Sequence, residues 1–173
     1  MFKSGGGAAR RAVLIFLLIL AVPASVLAAP LRAAVFPFEL DSGGAVGAPP
    51  GDLARLQRLN AQLVRALNSS GQYVLVDIEN VAGQLAADSL HDCPSCAVEL
   101  ARAVGAQVAV TGWVQQVSAG SFAIHLVIRD AATGKVLHAG RVAIRGDTDG
   151  AWRHAFAALL RDGFLPRDVA SAR

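Results

Sequence analysis

The alternation of apolar and polar residues is most regular between Gln107 and Arg145. Three β-rich runs, Gln107 to Ser118, Ser121 to Arg129 and Lys135 to Arg145, are split there by turn residues. In the middle run Phe122, Ile124, Leu126 and Ile128 fall on one face, and Ala123, His125, Val127 and Arg129 on the other. A half-buried strand requires that period of two. The stretch is predicted to be a meander of three antiparallel strands whose apolar face must be covered.

Elsewhere the period changes to that of helices. Leu56, Leu59, Leu63 and Leu67 recur at three and four residues behind Asp52, a predicted cap, while Arg55, Arg58 and Arg65 point elsewhere. Residues 68–71 end that helix. A compact helix from Ala97 to Val104 stops at Gly105, and a last one starts near Asp149, a predicted cap, with Trp152, Phe156, Leu159 and Leu160 as its stripe. Val81 to Ala87 is a weaker helical stretch. Leu31 to Leu40 reads as the first strand, with Pro37 marking a strand end or an edge, because proline cannot donate to a ladder. Tyr73 to Asp77 reads as a buried strand between neighbours. Strand, helix and strand in that order predict a parallel pair with a right-handed crossover.

These elements predict an α/β (α+β) fold: one mixed sheet of about five strands, βαβα followed by the three-stranded meander and a C-terminal helix, with the helices packed on one face. Residues 29–166 form a single domain, and 167–173 a frayed tail. Asp41 to Gly51, made largely of Gly, Pro and Ala, is a loop long for a compact domain. Both Trp113 and Trp152 are expected in the core.

Export changes the charge argument. Lys3, Arg10 and Arg11 precede the apolar run from Ala12 to Val22, and Val26, Leu27 and Ala28 follow Pro23 and Ser25, so residues 1–28 read as a secretory signal peptide cleaved after Ala28. An uncleaved anchor is the alternative, since a membrane helix needs ~20 apolar residues. The 173 residues carry 16 basic and 13 acidic side chains. Without the three basic residues of the signal the two signs balance. A neutral exported domain lacks the basic bias that displaces counterions from nucleic acid, so nucleic acid is excluded as partner.

One chemical motif stands out, Cys93-Pro94-Ser95-Cys96. Proline suits the first helical position, which places both sulfurs at a helix start where the dipole favours thiolate. The pair reads as a structural disulfide in an oxidising compartment, with thiol–disulfide redox chemistry as the alternative. Thioredoxin-like sites follow a strand directly, whereas residues 88–92 read as loop. Ala97 rather than histidine follows Cys96, which excludes covalent haem attachment, and His91 alone nearby is too few ligands for zinc. No cofactor or metal motif, nucleophile elbow or phosphate loop is present. His125, Arg129, Arg141 and Arg145 share strand parity and form a candidate cationic strip for a partner on the uncovered sheet face.

The opening Arg32-Ala-Ala-Val-Phe-Pro-Phe38, the stretch from Leu100 to Gly112 that leads into the meander, and Arg145-Gly-Asp-Thr-Asp-Gly-Ala-Trp152 resemble a group of secreted bacterial α/β domains. The chain is similar to the N-terminal domain of the Tol translocation protein TolB, to the curli secretion lipoprotein CsgG and to the lipoprotein activators of penicillin-binding proteins. Most of all it resembles an exported family known as a domain of unknown function. The resemblance implies a periplasmic, non-enzymatic binding or adaptor domain whose partner is another envelope protein, with no catalytic residues carried over. It departs from these relatives in having no lipid-bearing cysteine after the apolar run and no propeller after the domain.

Export is directly testable. N-terminal sequencing of the purified protein should find Ala29 first, and Met1 retained in a membrane fraction would overturn the signal-peptide reading.

Overall fold

The computed structural model describes residues 29–41, 50–85 and 89–165. The elements, in chain order, are β1 (Leu31–Val35), β2 (Glu39–Asp41), α1 (Pro50–Ser70), β3 (Tyr73–Leu75), a 3₁₀ turn (Glu79–Val81) running into the short α2 (Ala82–Leu85), α3 (Pro94–Ala103), β4 (Val108–Ser118), β5 (Ser121–Asp130), β6 (Val136–Arg145), α4 (Asp149–Leu159) and a closing π turn (Leu160–Phe164). The signal peptide and the tail lie outside the described residues, as do residues 42–49 of the Gly/Pro/Ala loop.

One mixed sheet of six strands has the order β3-β1-β4-β5-β6, with β2 also paired to β4. β1 pairs in parallel with β3 and with β4, and the meander β4-β5-β6 is antiparallel, as the alternation predicts. Leu31 to Leu40 is two strands, because Pro37 interrupts it. Phe36 donates its backbone N–H to Val110, but the ladder from Val35↔Val110 to Glu39↔Trp113 advances four residues against three, and Pro37 has no N–H to give. Tyr73–Leu75 lies at the sheet edge rather than between neighbours, and Val74 is accordingly 50 % exposed.

The expectation that all helices pack on one face is wrong, for a reason visible in β1 and β4. Both strands are apolar on both sides. Ala33, Val35, Val108, Val110 and Val114 face the core under α1 and α4, which also holds Leu59, Leu63, Leu67, Trp152 and Phe156. Ala34 and Ala109 face the other way, and α3 covers them through Ala97, Leu100 and Ala101. Each face is buried, so each needs its own helical layer. The alanines keep the second layer thin and let α3 approach the strands closely. Burying a leucine or phenylalanine contributes ~1.5–3 kcal/mol, so the larger first core carries most of the stability.

Helix ends follow local chemistry. α1 starts at Pro50, which puts Asp52 inside the first turn rather than at the cap. Thr148, not Asp149, caps α4 by accepting from the Ala151 N–H. After α3, Gly105 takes φ +68°, while the Gly105 and Ala106 N–H groups donate to Arg102 and Ala101. That left-handed turn with its pair of closing bonds releases the chain into β4.

Gly112, in the middle of β4, has no room for a side chain. A Cβ there would lie 2.5 Å from the Phe38 ring, which itself meets Phe156 edge-on at 5.3 Å. Gly112→Ala should therefore lower stability by ~1–3 kcal/mol in urea denaturation, the usual cost of overpacking. Adding Phe38→Leu should recover part of the loss. An unchanged midpoint in the single variant would show that Phe38 yields freely.

Candidate functional site

The second face of the sheet is covered unevenly. α3 lies over β1 and the start of β4, and residues 89–92, which precede it, extend that cover as far as Trp113. Trp113, expected in the core, instead projects on this second face, half-buried. Its indole is stacked between two imidazoles. His125, directly across the ladder, lies at 4.6 Å between centroids and 6° between planes, and His91, from the loop, at 5.6 Å and 18°.

The loop is held there by one carboxylate. Glu39, opposite Trp113 on β2, accepts from the Leu90 N–H through Oε1 (2.7 Å) and from the His91 N–H through Oε2 (3.0 Å). Its Oε2 also takes the Ser89 hydroxyl at 3.1 Å and lies 2.8 Å from His91 Nδ1. His91 Nε2 faces Asp92 at 3.4 Å. Beside Glu39, Asp41 accepts from the Gln115 side-chain amide at 3.3 Å. The loop then enters α3 through Cys93 at the N-cap and Pro94 at the first helical position. Cys93 and Cys96 are joined as a disulfide, with Cα atoms 5.3 Å apart and both residues half-buried. Cys96 packs against the second core.

Beyond Trp113 no helix among the described residues lies over the face, although Ala123 on β5 is fully buried there. His125 pairs across the ladder with Arg141, and Ser121 with Arg145, and both arginines are exposed on the edge strand β6. Leu137, 44 % exposed, lies at the other end of β6, where the ladder to β5 is irregular. The four residues of the predicted cationic strip thus divide. His125, Arg141 and Arg145 share the uncovered area, whereas Arg129 is half-buried at the other end and its guanidinium reaches the Gly134 carbonyl (3.5 Å) in the β5–β6 turn. Among the described residues no cluster of His, Cys, Asp and Glu is placed to hold a metal ion.

Sequence reading missed Glu39, Ser89 and His91, and misplaced Trp113. For Trp113 a signal was present. Thr111, Trp113 and Gln115 alternate with Val110, Gly112 and Val114, which puts the tryptophan on the more polar side. For Glu39 and His91, 52 residues apart, no local pattern exists.

These features define a class first: a single-sheet α/β domain, helices on both faces, with an aromatic stack on the second face beyond the reach of α3. A family model matches residues 31–164, and the chain belongs to that family, DUF3280, described as protein of unknown function (DUF2380). Among solved structures, the C-terminal domain of LpoB from Salmonella enterica is similar at a TM-score of 0.50 and 22% identity, covering 70% of this chain and 87% of that one. LpoB from Escherichia coli gives 0.50 at 19% identity, over 69% of this chain and 58% of that one. Lipoprotein GNA1162 from Neisseria meningitidis gives 0.49 at 17%, over 77% and 96%. At these identities the likeness is one of fold. No curated protein matches the sequence significantly. No helix among the described residues is long and apolar enough to cross a membrane.

His125 supplies a pH test. Burial first, then the Arg141 charge, pushes its pKa below the ordinary 6.5, with Asp41 opposing, and its Nε2 is enclosed without a hydrogen-bond partner among the described residues. The fold therefore favours neutral imidazole, and the unfolded chain takes up the proton first on acidification. Stability from this residue is present above pH ~6.5 and is lost as pH falls through the folded value. Thermal denaturation at pH 7.5 and 5.0 should show a larger drop for the wild type than for His125→Phe, which keeps a ring against Trp113. Parallel curves would contradict this assignment.

Proposed function

We propose that this chain is an exported periplasmic binding domain, without a reaction of its own, that docks another envelope protein through the uncovered half of the sheet. The observation that carries the reading is the second face itself: Trp113 held between His91 and His125, with Arg141 opposite His125 and Arg145 further along the same exposed edge strand. A large aromatic at the centre of a partly apolar surface, rimmed by arginine, is the composition of a protein-binding hot spot. Its partner presents apolar contacts with an acidic rim. Support comes also from the resemblance of the sequence to lipoprotein activators of penicillin-binding proteins, and from the fold shared with the LpoB C-terminal domain.

The disulfide acts as a staple in this reading. It fixes the start of α3 and the end of the loop whose His91 stacks on Trp113, so it shapes the docking face without exchanging electrons. Redox exchange through Cys93 and Cys96 fits less well, because both residues are half-buried and a loop, not a strand, leads into them.

A photo-activated cross-linking residue at Ala143, between the two arginines on β6, should give a discrete adduct in intact cells. Arg141→Glu with Arg145→Glu should abolish that adduct while shifting stability by no more than about 0.5 kcal/mol, as exposed substitutions do. An adduct formed from Gln57 on α1 and absent from Ala143 would mean that the helical layer, not the sheet face, is the docking surface.

A further inference from the structure

On the opposite side of the sheet, α1 and α4 leave a groove of about 360 Å³ floored by Leu59 and Trp152. Its walls carry Arg55, Arg58, Arg65, Arg153 and Asp149, and Asp52 and Asp147 also meet Arg55, so guanidinium groups outnumber carboxylates four to three. Arg55 draws most of that negative charge to itself, so the excess falls on the exposed Arg58, Arg65 and Arg153.

The four arginines are not equivalent. Arg55 is fully engaged: its Nε meets Asp149 at 2.9 Å, its Nη1 meets Asp52 at 3.1 Å and also Asp147, and its Nη2 donates to the Asp147 carbonyl at 3.2 Å. It also lies over the Trp152 ring, 5.4 Å from the centroid. Arg58 gives one arm to Asp149, at 2.9 Å. No ion pair joins Arg65 or Arg153 to a carboxylate among the described residues. Asp149 therefore shows how the groove treats a carboxylate, gripping it between two guanidinium groups, while Arg153 reaches it only through its charge and Arg65 and the remaining arm of Arg58 meet no carboxylate among the described residues.

We infer that the groove binds an acidic, extended peptide segment, with one carboxylate at Arg58 and Arg153 and a second at Arg65. The spacing supports a peptide over a single small anion. Arg58 and Arg65 are seven residues apart on α1, which is ~10 Å along a helix. A polyproline-II segment has three residues per turn and rises ~3.1 Å per residue, so acids three positions apart lie on one side at ~9 Å. Guanidinium forks match carboxylates in two-point geometry, and both ends of such a segment meet one. The groove lies across the sheet from Trp113 and His125, so binding here and docking there succeed or fail separately.

The test is an NMR titration of the purified protein with an acetylated, amidated tetrapeptide that has glutamates at both ends and two prolines between them. Saturable shifts at the Arg58, Arg65 and Arg153 side chains are expected. Binding should weaken about tenfold when the glutamates become glutamines, and by as much in the double variant Arg65→Gln with Arg153→Gln, as loss of charge-assisted hydrogen bonds implies. Both changes leave the Arg55–Asp149 contacts in place, and an unchanged circular dichroism spectrum confirms that the variant is folded. If the variant is unfolded, Arg65→Gln alone is titrated under the same criterion. No saturable shift, equal binding of the glutamine peptide, or unchanged affinity in the folded variant overturns the inference. It is overturned equally if inorganic phosphate binds as tightly as the peptide, or if the protein sediments with anionic-lipid vesicles through these arginines while ignoring the peptide.

Discussion

Everything in this domain depends on β4 being buried on both sides. Its first residues alternate Val108, Ala109 and Val110, each at most 1 % exposed, so neither face can be left to water. Valines take the side with space for the large helices α1 and α4, and alanine takes the side on which α3 lies close. β1 is likewise buried on both sides, with Ala33 and Val35 toward α1 and α4 and Ala34 toward α3. Because burial of apolar area dominates folding free energy, this one strand pair dictates that helices must come from both directions. It also dictates where cover ends. Further along β4, Thr111, Trp113 and Gln115 replace alanine on the second side, and α3 gives way there to a loop.

Where apolar packing stops, carboxylates organise the chain. Glu39 gathers the loop of residues 89–91 onto the second face, and Asp147 and Asp149 gather Arg55 and Arg58 of α1 onto the start of α4. Each cluster joins segments more than fifty residues apart in sequence. These contacts are partly wet, and single exposed ion pairs contribute only ~0–1 kcal/mol, so their role is one of placement. On the second face the placement is of His91 against Trp113. On the first it leaves a groove with unused guanidinium groups.

The aromatic stack on the second face and the arginine-lined groove on the first suit the recognition role proposed above. Trp113 is costly to expose, and stacking between two imidazoles reduces that cost while leaving it half-buried. His125 is held toward its neutral form by burial and by Arg141, which disfavours a positive charge on that ring against Trp113. The disulfide between Cys93 and Cys96 anchors the loop that supplies the other imidazole.

What the sequence determined by itself was whatever depends on neighbours a few residues away. The period of two in Phe122, Ile124, Leu126 and Ile128 set the meander, and the leucine stripe from Leu56 to Leu67 set α1. Cys93-Pro94-Ser95-Cys96 marked the start of α3. Only the tertiary structure decided which side of the sheet each helix would take, because Ala34 and Ala109 read as neutral in a local pattern and become a docking surface for α3 only when the strands pair. It alone made β3 an edge, since an apolar run of three looks the same at an edge as in the middle. The partnership of Glu39 with His91, and of Trp113 with both histidines, could not be legible either. Those residues lie far apart in the chain, and their contact is set by how two layers close on β4, a constraint that no window of neighbouring residues contains.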